Sequence, residues 1–154
     1  AYYGGYSWYD YAGDMRPGVI RSRELLLGLL DELQDQGVRP EDVFLFGFSQ
    51  GCLMVTDVAL RAPVVLGGVV GVSGYVAFLE QYPDELSPVA RDQKILVTHG
   101  RLDPVVPFEP SVRQFHQLRD LGLDLELVVY DKEHTMLMEE LGAMADWLRA
   151  RLAA

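Results

Sequence analysis

The stretch Gly47-Phe48-Ser49-Gln50-Gly51 places a serine between two glycines in the pattern G-x-S-x-G. An apolar, β-prone run over residues 43–46 precedes it, and residues 52–61 read as a helix that ends before Pro63. A strand, a sharp turn and a helix in this order form a nucleophile elbow, in which the turn lifts one hydroxyl above the sheet. The pentapeptide alone is a weak signal, so the strand and the helix beside it are the stronger part of the pattern.

A serine at an elbow needs a base that takes its proton and an acid that orients the base. In α/β-hydrolases these partners follow the nucleophile in the order Ser, Asp or Glu, His. Asp103 follows a predicted strand at 94–99, and His134 follows a predicted strand at 125–130. Because open parallel sheets place their sites at the C-terminal ends of the strands, Ser49, Asp103 and His134 are predicted to meet there.

Other residues compete for these roles. Asp131 is closer to His134 in sequence than Asp103 is, but three residues along one loop rarely let a carboxylate face the ring Nδ1. His99 is expected to form a hydrogen bond within the turn after its strand, and His116 is expected to be exposed on a helix.

Four blocks of the sequence resemble one known family. They are Gly47–Gly51, Leu66–Tyr75, His99–Pro107 with its His-Gly and Asp-Pro-Val-Val-Pro, and His134-Thr135. In their order and spacing they resemble the carboxylesterase/phospholipase family, which includes acyl-protein thioesterases and bacterial carboxylesterases of α/β-hydrolase fold. The resemblance covers nearly the whole chain and implies a parallel α/β sheet with helices on both faces.

The resemblance also implies residue roles. Ser49 is the expected nucleophile, Asp103 the orienting acid, His134 the general base, and the backbone N–H of Gln50 one donor to the oxyanion. The residues expected to contact substrate are Trp8, Tyr75 and Val105. Neither a cofactor nor a metal is expected.

The sequence departs from the family pattern in three places. Cys52 replaces a small residue, and Lys132-Glu133 replaces a glycine-containing approach to the histidine. The 48 residues before Ser49 lack the strands and the His-Gly loop that supply a second oxyanion donor in the family. Either the chain is a piece of a longer protein, or another element, such as Gly4-Gly5, supplies that donor. The absence of an initial methionine favours the first alternative, in which residues 1–154 form one domain covering the C-terminal two-thirds of the fold.

Composition agrees with a globular α/β domain. The 154 residues are 49% hydrophobic, which suffices for a buried core. The net charge of −10 argues against nucleic acid as a partner. The single cysteine, Cys52, excludes an internal disulfide and is expected to be buried. No apolar run is long enough to span a membrane. No secretory signal opens the chain as given, but a missing front would remove one, so a cytoplasmic location is an expectation that stays open.

Helix and strand alternate along the remainder. A first helix follows Arg16-Pro17-Gly18 and runs to about Gln36, and strands are expected near 43–48, 68–73, 94–99 and 125–130. The later helices are expected near 51–61, 110–121 and 136–152, the last of them on the opposite face of the sheet from the others. Residues 75–93 form either a small cap or, preferably, an ordinary crossover.

The first strand, apolar on both faces, is predicted to lie at an edge of this four-strand sheet. Bare edges invite pairing, so upstream residues or a second copy of the chain are expected beside it. Upstream residues are preferred, because they would also supply the second oxyanion donor.

Three functions remain open at this point. The leading one is a serine hydrolase acting on a small-molecule carboxylic ester or thioester through an acyl-enzyme. A peptidase or acyltransferase on the same fold is the second, and a non-catalytic fragment or binding module is the third.

Overall fold

In the computed structural model, which describes residues 4–152, strands and helices alternate from the first strand onward. The elements are α1 (Arg16–Asp35), β1 (Phe44–Phe48), α2 (Gln50–Arg61), β2 (Gly68–Val72), α3 (Tyr82–Glu85), β3 (Lys94–Gly100), α4 (Phe108–Asp120), β4 (Asp124–Tyr130) and α5 (Met138–Leu152). Each strand after β1 is therefore reached by a crossover connection, as a parallel sheet requires.

The four strands form one parallel sheet in the order β1-β2-β3-β4. The register pairs Phe48 with Val72 and Thr98 with Val128, so the C-terminal ends of all four strands reach the same edge. The loops after β1, β3 and β4 leave from that edge.

Helices cover both faces of the sheet, as expected. On one face Val69, Ile95 and Leu125 pack with buried residues of α2 and α4, and α1 packs outside α2. On the other face Val70 and Leu96 pack against α5. Alternate residues along a strand point to opposite faces, which explains why neighbours in one strand belong to different clusters.

The predicted elements agree with the structure within a few residues. The first helix begins at Arg16 rather than after Gly18, because Pro17 fits the first turn of a helix, where its missing N–H is not needed. The last helix begins at Met138 rather than at 136. The 75–93 segment is a crossover whose Phe78 and Tyr82 are buried in the main core.

Strand β1 lies at the edge of the sheet within the described residues, as predicted. A groove of about 480 Å³ runs beside it, lined by apolar residues of α1, β1 and α2. Phe46 lies in this groove and is 53% exposed, which is unusual for an aromatic side chain in a strand. None of the helices within residues 4–152 has both the length and the apolar character needed to cross a membrane.

Candidate active site

Ser49 occupies a sharp turn between β1 and α2. Its backbone φ of 56° and ψ of −113° lie in a region that residues with a side chain rarely adopt. Its N–H donates to Val72 O in the neighbouring strand at 2.8 Å. Gly47 makes the turn possible, since a Cβ at that position would lie 2.1 Å from Gly51 O. The strand–turn–helix at G-x-S-x-G is therefore present as the sequence predicted.

The imidazole of His134 lies between Ser49 and Asp103. Its Nε2 is 3.0 Å from Ser49 Oγ, and its Nδ1 is 2.8 Å from Asp103 Oδ2. The Phe48 ring packs against the imidazole, with centroids 4.7 Å apart. With Asp103 ionised, Nδ1 carries a proton and donates a hydrogen bond to the carboxylate, so Nε2 is left to accept the serine proton.

Asp103 is held by its own loop as well as by His134. Its side chain is fully buried, and its Oδ1 accepts the backbone N–H groups of Val105 and Val106 at 2.9 and 2.8 Å. Burial raises the pKa of this carboxyl, but the hydrogen bonds from His134 and the two amides outweigh burial and hold the pKa below its ordinary value. Asp103 is therefore an ionised, oriented carboxylate at neutral pH.

The competing residues lie elsewhere. Asp131 is exposed and pairs with Arg101 at 2.9 Å, away from the imidazole. His99 is buried behind Asp103, and its Nε2 bonds to Val106 O at 3.0 Å, which is the turn hydrogen bond predicted for it. His116 is exposed on α4.

Gln50 contributes both its backbone and its side chain. It is the first residue of α2, so the N–H of Gln50 has no acceptor within the helix and lies at the positive end of the helix dipole. Its side chain accepts from Trp8 N at 3.1 Å and donates to Tyr9 O at 3.0 Å. The segment before α1 is thereby fixed to the start of α2.

The three residues expected at the substrate do not share one cavity. Tyr75 and Val105 line a pocket of about 420 Å³ together with Tyr11, whereas Trp8 borders the groove beside β1. The hydroxyl of Tyr75 is 2.9 Å from that of Tyr9, which joins the opening segment to the pocket wall. Aromatic residues are frequent near the start of the chain, and two of them, Tyr2 and Tyr3, lie outside the described residues.

A buried polar cluster next to His134 was not predicted. It consists of Thr98, Lys132 and Glu140, all at most 3% exposed. The sequence singled out Lys132 only as a departure from the family pattern. Two features of the sequence could have indicated this cluster. One is a lysine just after a strand, and the other is a glutamate in the first turn of the next helix. Within residues 4–152, no group of three or more His, Cys, Asp or Glu side chains could hold a metal ion.

The fold and the site together define a class of protein. A parallel sheet with helices on both faces carries a serine on a strand–turn–helix, and an aspartate and a histidine follow the next strands in chain order. This architecture is the α/β-hydrolase fold.

Comparison with known proteins identifies the family. The model of the phospholipase/carboxylesterase family matches residues 3–152, and the chain belongs to this family. A probable carboxylesterase of Oryza sativa subsp. japonica is 33% identical over 138 residues, which are 89% of this chain and 52% of that protein. Acyl-protein thioesterase 1 of Schizosaccharomyces pombe is 35% identical over 149 residues, which are 94% of this chain and 65% of that protein.

Solved structures agree with this assignment. The crystal structure of Arabidopsis thaliana SOBER1 matches with a TM-score of 0.88 and 27% sequence identity, covering 95% of this chain and 74% of that chain. Compared with the two curated relatives named above, the chain spans 52% of the length of the first and 65% of the length of the second.

Proposed function

We propose that this protein is a serine hydrolase that cleaves carboxylic esters or thioesters of small molecules through an acyl-enzyme. The observation that carries the proposal is the position of one imidazole, which lies within hydrogen-bonding distance of both Ser49 Oγ and Asp103 Oδ2. The names of the relatives, a probable carboxylesterase and an acyl-protein thioesterase, support the same two substrate classes.

The first half of the reaction forms the acyl-enzyme. Ser49 Oγ attacks the acyl carbon while its proton passes to His134 Nε2, and Asp103 stabilises the imidazolium through Nδ1–H. The negative charge that develops on the acyl oxygen is stabilised by the N–H of Gln50 at the start of α2. When the tetrahedral intermediate collapses, His134 returns the proton to the departing alcohol or thiol.

The second half releases the acid. A water molecule attacks the acyl-enzyme and gives its proton to His134, and the second tetrahedral intermediate expels Ser49 Oγ, which regains the proton. No cofactor takes part in this scheme. The pocket lined by Tyr75 and Val105 would bind the acyl or the alcohol group of the substrate, because its walls are mainly apolar.

Replacement of the nucleophile tests the proposal. Ser49→Ala should abolish hydrolysis of a short-chain aryl ester, and Asp103→Asn should lower kcat by about 10⁴-fold because an amide favours the wrong histidine tautomer. The measurements are initial rates on a panel of esters, thioesters and peptides, and labelling of the chain by a fluorophosphonate.

Circular dichroism of both variants provides the control for folding. Turnover by the Ser49→Ala protein equal to that of the unmodified protein would refute the mechanism. Absence of both fluorophosphonate labelling and turnover in the unmodified protein would favour a non-catalytic role instead.

A further inference from the structure

Lys132 and Glu140 form an ion pair inside the protein, next to the loop that carries His134. Both side chains are fully buried, and Nζ lies 2.5 Å from Oε1. Removing two charges from water costs several kcal/mol per ion, so a buried pair contributes little net stability by itself. The other hydrogen bonds of the two side chains show what the pair holds in place.

The hydrogen bonds of the pair reach the loop on the C-terminal side of His134. Lys132 Nζ also donates to Thr135 O at 2.8 Å. Glu140 Oε2 accepts the N–H of Leu137 at 3.0 Å, as a glutamate in the first turn of a helix does when it caps the residue before that helix.

The pair is also tied to the sheet and to the neighbouring loop. Glu140 Oε1 accepts a hydrogen bond from Thr98 Oγ1, in the inner strand β3, at 2.5 Å. The carbonyl of Lys132 accepts the N–H of Leu102 at 3.1 Å, within the loop that leads to Asp103. The backbones pass so closely that a Cβ on Gly100 would lie 2.2 Å from Lys132 O.

We propose that Lys132 and Glu140 are positioning residues for His134. The bond from Lys132 Nζ to Thr135 O fixes the backbone just after the histidine, and Glu140 holds Lys132 in place for that bond. An imidazole that must meet both Ser49 and Asp103 tolerates little displacement, since an error of about 1 Å can cost 10²-fold in rate. The inference rests on the proposed function, because positioning matters only if His134 is the base.

Single replacements should lower the rate of the chemical step. In Lys132→Met the Thr135 carbonyl loses its donor, and in Glu140→Gln the lysine loses its counter-charge. We expect kcat for an aryl ester to fall about 10- to 100-fold in each, with KM changed less than about twofold. The fluorophosphonate labelling rate of Ser49 should fall in parallel.

The double variant Lys132→Met/Glu140→Gln separates positioning from stability. Removing both charges together avoids an unpaired buried ion, so the melting temperature should recover relative to the single variants. The Thr135 carbonyl still lacks its donor, so kcat should stay low. A double variant that regains kcat together with its melting temperature would overturn the inference.

A matched control comes from another ion pair. Arg23 pairs with the buried Asp57 at 2.6 Å, in the contact between α1 and α2. Arg23→Gln should lower the melting temperature while leaving kcat as in the unmodified protein. A fall in kcat in this variant as large as that in Lys132→Met would show that kcat follows general stability, against the inference.

A readout independent of turnover distinguishes this inference from the proposed function. The proton on Nδ1 shared by His134 and Asp103 should give a downfield NMR resonance in the unmodified protein. We expect it to be weakened or shifted in Lys132→Met and unchanged in Arg23→Gln. If Ser49→Ala retained turnover, the proposed function would fail whatever this resonance showed. An unchanged resonance in Lys132→Met would instead reject the positioning role alone.

Discussion

At the scale of single residues, His99 shows how burial sets a protonation state. The side chain is fully buried, Nε2 donates to Val106 O, and Nδ1 has no partner among the described residues. Burial lowers the pKa of His99, and this effect prevails over the Val106 carbonyl and over Asp103, 3.9 Å away, which favour the charged form. Lys132 and His134 act in the same direction as burial.

This lowered pKa predicts a pH-dependent stability. As the pH falls below the ordinary value of 6.5, the unfolded chain takes up a proton at His99 before the folded chain does. The contribution of His99 to stability is thus complete above about pH 6.5 and is lost as the pH falls toward the folded pKa. His99→Gln should therefore reduce the slope of the free energy of unfolding between pH 7 and 5, measured by urea denaturation.

His116→Gln, at an exposed position, is the matched control for the loss of an imidazole. If the free energy of unfolding had the same slope against pH in His99→Gln and in the unmodified protein, the lowered pKa of His99 would be contradicted.

Single residues also show which parts of the site could be predicted from the sequence and which could not. Ser49, Asp103 and His134 could be placed at one sheet edge because each follows a strand, and strand ends can be read from apolar runs. The partner of Lys132 could not be read in this way, because the bond to Glu140 depends on how α5 packs across β3. The separation of Trp8 from Tyr75 and Val105 likewise depends on the path of an irregular segment that carries no periodic pattern.

At the scale of elements, the turn between β1 and α2 depends on the absence of a side chain at Gly47. A Cβ there would lie 2.1 Å from Gly51 O, and a backbone atom cannot move aside as a side chain does. Gly47→Ala should lower the free energy of unfolding by about 3 kcal/mol, at the upper end of overpacking costs. It should also slow labelling of Ser49 by a fluorophosphonate, because the turn must open to relieve the contact.

Gly28→Ala is the matched control, because nothing lies within 4 Å of a Cβ added at that position in α1. Alanine is favoured over glycine in a helix by about 0.5–1 kcal/mol, so this variant should be slightly stabilised. Thermal denaturation of the two variants compares them directly, and equal effects would argue against the contact at Gly51.

The elements themselves were largely predictable, because the buried parallel strands are short apolar runs separated by helical patterns. All four strands were anticipated within a residue or so at each end. Helix starts were less accurate, by about two residues, because Pro17 fits either before a helix or inside its first turn.

At the scale of the whole molecule, the bare edge of β1 and its groove predict association of the 154-residue chain. An exposed edge strand presents unpaired backbone groups, and the apolar groove beside it adds a driving force. We expect sedimentation of the chain by itself to show concentration-dependent association. Phe46→Lys should shift the chain toward monomer, since a charge on an edge strand opposes pairing.

Leu102→Lys is the matched control, because Leu102 is 63% exposed and lies outside the groove. It should leave the association unchanged. If the chain were a monomer at every concentration and had full esterase activity, the expectation that the β1 edge pairs with another segment would be contradicted.

The strand order affects the stage of folding at which the candidate active site can form. His134 and Ser49 are 85 residues apart in sequence, and Asp103 and His134 are 31 apart. A contact between residues far apart in sequence requires a long loop to close, which has an entropic cost. With each strand added next to its predecessor, the imidazole reaches the serine only after β4 has docked. Under the proposed mechanism, a chain in which β4 has not docked therefore holds an unactivated hydroxyl, and we expect hydrolytic activity to require docking of that strand.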